Sequence, residues 1–302
     1  MKKIIFSICI DIPEILLDET GYSRHSGKNP WRVGRAEETK DKFAAFKNYL
    51  MWTQKAYADE IDADYRMYSY DKEFIDYYVY CKSVHENLPM YHIINYYKNH
   101  LLQKLSYDYD AVFYVDIDVI PRTDEDIFKV HNMNYLYAKN NNDLAEWGKK
   151  MDLTKYNSCD RNPAIKYWNC YALLLEEGYH PENDVINTGT VIGGSEVIQS
   201  MDWIGEFEGL IKKLKDLQEQ KVTMFPEAIF SRFAFDNETM FSYLVNSKKI
   251  KYKSLSDEWH GRLPDDEIDP SHKMIHAINK KFELIWPEVD YQGRSFTWKF
   301  SV

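Results

Sequence analysis

The chain has 302 residues, 44% of them hydrophobic and 16% aromatic, which is enough apolar surface to bury a substantial core and argues against intrinsic disorder. A formal net charge of −10 argues against a generic polyanion-binding surface, because such surfaces are built from lysine and arginine. Four cysteines (Cys9, Cys81, Cys159 and Cys170) show neither a C-x-x-C pair nor metal-ligand spacing, so they read as free thiols in a reducing compartment and the expected location is cytoplasmic.

The start, MKKIIFSICIDIPE, carries an apolar run only from Ile4 to Ile10 with no small-residue cleavage site after it, and reads as a first strand over Lys3 to Ile10. No apolar stretch approaches the ~18 to 20 residues that cross a bilayer. A polar loop, DETGYSRHSGKNPWRVGR, follows; its glycines and basic residues suit either an anion or plain solvent. Helical spacing then runs from about Glu37 to Tyr57, with Phe43, Phe46 and Leu50 on one face and Thr53 or Tyr57 continuing it. DYRMYSYD reads as a short second strand, and Ile93, Ile94, Tyr97, Leu101, Leu102 and Leu105 mark a helix over Met90 to Leu105.

That helix leads into YDYDAVFYVDIDVIP, where Val112 to Val115 have the character of a buried strand and Asp116 and Asp118 stand at its end. Strand, helix, strand alternation predicts a parallel sheet with crossover helices, and ligands of such sheets bind beyond the carboxyl ends of the strands. Ionised carboxylates there are costly without compensation, and a divalent cation is one way to provide it; a solvated acidic turn is the other. Further on, IFKVHNMNYLYAKN suggests a helical turn and a strand. The stretch from about 140 to 184, with a helical piece around Tyr167 to Glu177, reads as an insertion or lid. DVINTGTVIGGSEVIQSMDWIGEFEGLIKKLKDLQEQ predicts a short strand, a glycine-containing turn and one long amphipathic helix. No linker or repeat divides the chain, so one α/β domain over residues 1–302 is expected.

Four short motifs, FYVDIDVIP, VINTGTVIGG, FDNETMFSYL and HKMIHAINKKF, occur in that order. Together they resemble nucleotide-sugar glycosyltransferases of the GT-A fold, nearest to the glycogenin and bacterial galactosyltransferase family, glycosyltransferase family 8. The resemblance implies a single Rossmann-like domain with a mixed, mainly parallel sheet and helices on both faces. It also implies that Asp116, Ile117 and Asp118 form a D-x-D element binding manganese or magnesium, which bridges the diphosphate of a donor such as a UDP-sugar. His276 in MIHAIN is similar to the family's third ligand, with His272 the competing histidine. Beyond it the family has glycine and then lysine where this chain has Asn279 and Phe282, so Lys280 and Lys281 become the candidates for the diphosphate, with Trp286 and Pro287 near the family's closing aromatic element.

By the same resemblance Asn187 and Gly189 of NTG approach the donor sugar, and Asp236 and Glu238 of DNE contact sugar hydroxyls or stabilise positive charge on the sugar. Should the reaction invert, these two are the candidate general bases. Acidic residues in a first helical turn are also favoured by the macrodipole alone. Lys98 stands where relatives place a basic residue near the donor, although a helical lysine more often points to solvent. Trp259 and His260 of DEWHG either border the acceptor or, for Trp259, pack inside. The resemblance implies transfer with retention to a hydroxyl acceptor on a glycan, protein or lipid, and less readily to a modified nucleic-acid base held by the basic loop from Arg24 to Arg35.

Two rival readings stay open on the sequence. FYVDIDVI also fits the motif of haloacid-dehalogenase-type phosphohydrolases, with Asp116 as nucleophile and Asp118 as acid/base, though that family carries its motif on the first strand and needs a later acidic pair absent here. A binding protein that recognises carbohydrate or nucleotide without turnover is the other.

Overall fold

The computed structural model describes residues 1–11, 30–141, 170–171, 173–179, 184–220, 236–263, 268–278 and 280–287. Most of the expected insertion, and the loop ahead of residue 30, lie outside them. A six-stranded sheet has the order β2-β1-β3-β6-β5-β7, formed by β1 (Lys3–Ile8), β2 (Asp64–Tyr68), β3 (Ala111–Val115), β5 (Leu136–Asn140), β6 (Ile186–Gly194) and β7 (Tyr252–Ser254). β1 pairs in parallel with β2 and β3, β7 in parallel with β5, and β6 runs antiparallel between β3 and β5. The sheet is therefore mixed and mainly parallel, as expected.

β3 reads as an unbroken apolar run, and β1 is buried throughout with only Lys3 and Ser7 polar, because both faces of each strand are covered. Alternation at period two sends Ile4, Phe6, Val112 and Tyr114 to one core cluster and Ile5, Phe113 and Val115 to another. The first cluster is closed by α2 (Lys72–Val84), α3 (Met90–Leu105), α5 (Ser195–Met201), α6 (Trp203–Gln220) and α7 (Asn237–Ser247). α1 (Pro30–Glu60) covers the other face through Tyr57 and Ala58 and reaches a third cluster through Phe46, Tyr49 and Leu50.

Several boundaries differ from the sequence expectation. β1 ends at Ile8, two residues early, and α1 begins at Pro30, inside the expected loop. Proline suits a first helical position because its missing N–H is one that no helix uses. α2 adds a helix to the sequence expectation: Phe74, Tyr77 and Cys81 form its buried stripe, and Asp71, whose side chain accepts from the Phe74 N–H, is its N-cap. The glycines of VIGG lie in β6 rather than in a turn. They fit a strand buried on both faces: a Cβ on Gly194 would stand 2.4 Å from the Met133 carbonyl oxygen. The expected long helix is two, α5 and α6, separated by Asp202, which adopts the left-handed conformation (φ 51, ψ 48) that ends the first.

A second, three-stranded sheet joins β4 (Val119–Pro121), β9 (Met274–His276) and β8 (Gly261–Arg262) in the order β4-β9-β8. β4 pairs antiparallel with β9, with Val119 opposite His276. This sheet ties the end of the chain to the segment just after β3. α4 (Ile127–Val130), with Asp126 as its N-cap, lies between β4 and β5.

Gly194→Ala is expected to lower stability by about 1–3 kcal/mol, the range for overpacking against groups that cannot yield, here a backbone carbonyl. A urea melt followed by circular dichroism measures it.

Candidate metal centre and sugar-nucleotide site

β3 stops at Val115, and the chain turns: the Val119 N–H donates to the Asp116 carbonyl at 2.9 Å. Pairing of β3 with β6 places Val115 beside Thr190, and the Asp116 N–H donates to the Gly189 carbonyl at 2.7 Å. From the other side, the Ala277 N–H donates to the Asp118 carbonyl at 2.9 Å, so β9 presents His276 to the same turn. One oxygen or nitrogen from each of Asp116, Asp118 and His276 lies within 4.8 Å of the others. His276 Nε2 is 3.7 Å from Asp116 Oδ2 and 3.5 Å from Asp118 Oδ2. Two hard carboxylates and an imidazole are a donor set suited to a divalent ion such as manganese or magnesium. His272 is not part of the group; its Nε2 lies 3.8 Å from Asp269 Oδ2 and its ring packs over Gly261.

The charges are already compensated by lysines. Lys280 donates to Asp118 Oδ2. Burial opposes ionisation of Asp118, but Lys280 and then His276 more than offset it and hold the carboxyl well below its usual range. Lys98, expected at the surface, is buried: its Nζ lies 3.6 Å from Asp116 Oδ1 and 5.3 Å from the centre of the Tyr114 ring. The Tyr114 hydroxyl donates to the same Asp116 oxygen. The helical position read as solvent-facing because the sequence does not reveal that α3 runs beneath the carboxyl end of β3. Lys280 has φ 56, a conformation that L side chains seldom adopt.

Of the remaining candidates, Asn187 and Gly189 adjoin the carboxylates: a Cβ on Gly189 would stand 2.4 Å from His276 Cε1 and 2.9 Å from both Asp116 Oδ2 and Asn187 Oδ1. Glu238 orients Asn187, accepting from its Nδ2 at 3.1 Å, while Asn187 Oδ1 accepts from the Gly189 N–H at 2.9 Å. Asp236 has a capping role at the start of α7, accepting from the Glu238 and Thr239 N–H groups. The neighbouring Asn237, not singled out by the sequence, donates to Thr188 Oγ1 at 2.7 Å. Ile117 turns its side chain away from the carboxylates into the third core cluster, leaving only its backbone at the turn. Lys281 opens the short 3₁₀ turn over Phe282–Leu284, so of the two lysines Lys280 is the one that meets Asp118. Trp286 packs on Phe46 and Tyr49, and Pro287 is exposed. Trp259 packs inside, 2% exposed in the second cluster, the alternative the sequence left open.

Two further buried residues stand behind the turn and His276. Gln54 is fully buried in α1; its Nε2 donates to the carbonyls of Asp116 (3.0 Å), Val119 (2.8 Å) and, at 3.4 Å, Ile117. Its Oε1 accepts from Ser7 Oγ and from the Tyr65 hydroxyl at 3.0 Å, so a single amide fixes the turn to β1, β2 and α1. The signal was a polar residue four positions after Leu50, on the apolar stripe itself. His260 was noted for the acceptor; it is instead 1% exposed, with Nε2 3.2 Å from His276 Nδ1.

No protein-family model and no curated protein matches the chain. Solved structures do. One, a glycosyltransferase involved in the glycosylation of the major capsid of PBCV-1, is 12% identical over 92% of this chain and 93% of that one, with a TM-score of 0.41. The galactosyltransferase LgtC in complex with donor and acceptor sugar analogues is 12% identical over 91% and 86% of the two chains, with a TM-score of 0.37. WbbM, a bifunctional glycosyltransferase, is 14% identical over 91% of this chain but 45% of its own, with a TM-score of 0.46. Likenesses this slight carry no argument about chemistry, which rests on the residues themselves.

Gly189→Ala is expected to displace His276 and abolish tight Mn²⁺ binding while the protein stays folded. Titration of Mn²⁺ followed by electron paramagnetic resonance, beside a far-ultraviolet spectrum, measures both.

Proposed function

We propose that the protein is a metal-dependent glycosyltransferase of the GT-A type, related to the glycogenin and bacterial galactosyltransferase family, moving a sugar from a UDP-sugar to a hydroxyl acceptor with retention. One observation carries the reading: Asp116, Asp118 and His276, drawn from two distant parts of the chain, converge within 4.8 Å at the carboxyl end of a central strand. Manganese or magnesium held by these three supplies a Lewis acid toward the departing diphosphate.

The chain's own groups then divide the remaining work. Lys280 and Lys98, already paired with Asp118 and Asp116, are the cations nearest the phosphates, where negative charge grows as the glycosidic bond breaks. Gly189 leaves room for close approach of the donor sugar, and Asn187 is held toward it by Glu238. Asp236 serves through the α7 cap rather than as a base. With retention, the leaving phosphate takes the acceptor's proton, so no side-chain base is obligatory. The acceptor is a hydroxyl of a glycan, protein or lipid, and the whole of residues 1–302 acts as a single domain in this reading.

The phosphohydrolase reading fits less well. A general acid/base must exchange a proton near neutral pH, and Asp118 is held ionised by Lys280 and His276. Its motif also stands on the third strand of the chain, not the first. A binding protein without turnover differs from the enzyme only in activity, which the experiment reads directly.

UDP release from a panel of UDP-sugars, with Mn²⁺ and then with chelator, is expected in the wild type only with the metal. Asp118→Asn should reduce it by at least about 100-fold, since losing a ligand costs no less than the ~10–100-fold typical of losing a group behind one. Full turnover in that variant, or failure of the wild type to bind any nucleotide, would sink the proposal.

A further inference from the structure

Behind the carboxylates two imidazoles and a hydroxyl stand in line. His276 turns Nε2 to Asp116 and Asp118, and its Nδ1 lies 3.2 Å from His260 Nε2. The two rings meet edge to face, with centroids 5.1 Å apart. His260 Nδ1 in turn meets Thr190 Oγ1 on β6. His276, His260 and Thr190 are 6%, 1% and 0% exposed, so each ring nitrogen depends on its neighbour in the line rather than on bulk water.

Such a line can be protonated in two orders. In one, His276 Nδ1–H donates to His260 Nε2, and His260 Nδ1–H donates to Thr190 Oγ1; His276 Nε2 then keeps its lone pair for a cation. In the other, the Thr190 hydroxyl donates to His260 Nδ1, His260 Nε2–H donates to His276 Nδ1, and the remaining proton sits on His276 Nε2, where it blocks ligation.

We propose that His260, backed by Thr190, is a positioning residue that fixes His276 in the Nδ1–H tautomer and aims its Nε2 at the metal; the inference rests on the metal site proposed above. The acceptor role requires that His260 Nε2 keep its lone pair, and the edge-to-face meeting of the two rings sets that nitrogen 3.2 Å from His276 Nδ1. The backbone supports the same geometry: β8, which begins one residue after His260, pairs in parallel with β9, and the Leu263 N–H donates to the His276 carbonyl at 3.1 Å. An imidazole ligand whose far nitrogen is held by a partner is better oriented and more basic toward a metal.

The test is titration of the full chain with Mn²⁺ alone, read by electron paramagnetic resonance, for wild type, His260→Leu and His260→Gln. Leucine cannot accept from His276 and is expected to weaken Mn²⁺ binding ~10–100-fold. Glutamine presents an amide oxygen to His276 and an amide N–H to Thr190, and is expected to keep near wild-type affinity. Wild-type affinity in His260→Leu, or equal losses in both variants, would overturn the assignment. Should the leucine variant fail to fold, ¹⁵N-histidine spectra of the metal-free wild type decide: an Nδ1–H tautomer for His276 supports the role and an Nε2–H tautomer overturns it. A wild type that binds no Mn²⁺ at all defeats the metal site first, and this inference with it.

Discussion

Asp118 is 3% exposed, and a carboxylate at that depth is tolerated only if positive groups surround it. That requirement shapes the molecule beyond β3. Lys280 and His276 approach Asp118, while Lys98 and the Tyr114 hydroxyl approach Asp116. These partners come from α3, from β3 itself and from the segment around β9. The three-stranded sheet β4-β9-β8 adds Val119, Ile120, Met274 and Ile275 to the core, and its pairing delivers His276 and the following Lys280 to the aspartates.

Backbone and charge are separately secured. Gln54 satisfies the carbonyls of the D-x-D turn, so the turn need not rearrange to find donors. Pairing of Gly189 and Thr190 with the end of β3 fixes the other flank. With the backbone held, the side chains of Asp116 and Asp118 meet Lys98, Tyr114, His276 and Lys280 around one turn. Preorganisation of this kind suits a site whose work is electrostatic, because little reorganisation accompanies charge development.

Much of this was legible in the residues. A continuous apolar run at β3 announced burial on both faces, and two aspartates at its end placed the site, because carboxylates in that position demand an answer. His276 was legible as a candidate ligand through its motif, and the structure brings it beside both aspartates; Asp236 and Glu238 were legible as the opening of a helix. What the sequence withheld depends on distance. Lys98 looked like a surface lysine because nothing local places α3 beneath the carboxylates. Gln54 is conspicuous only once its place on the apolar stripe is noticed, and His260 acquires a role only when β8 pairs with β9. Strands of two or three residues, such as β4, β8 and β9, leave no period to read. The glycines at the end of β6 suggested a turn, since the close approach of Met133 to Gly194 belongs to tertiary structure.

The pairing of Lys280 with Asp118 spans 162 positions of sequence. During synthesis, the aspartates emerge from the ribosome long before the lysine and histidine that neutralise them. Until β9 docks, the two carboxylates stay in water, and the burial of Asp118 arrives together with the Lys280 and His276 that compensate it. Long-range closure of this sort slows folding and prolongs exposure of the unfinished sheet. The segment around β9 therefore acts as a latch on the order of assembly, because the burial of Asp118 and its compensation by Lys280 and His276 come from one and the same closure.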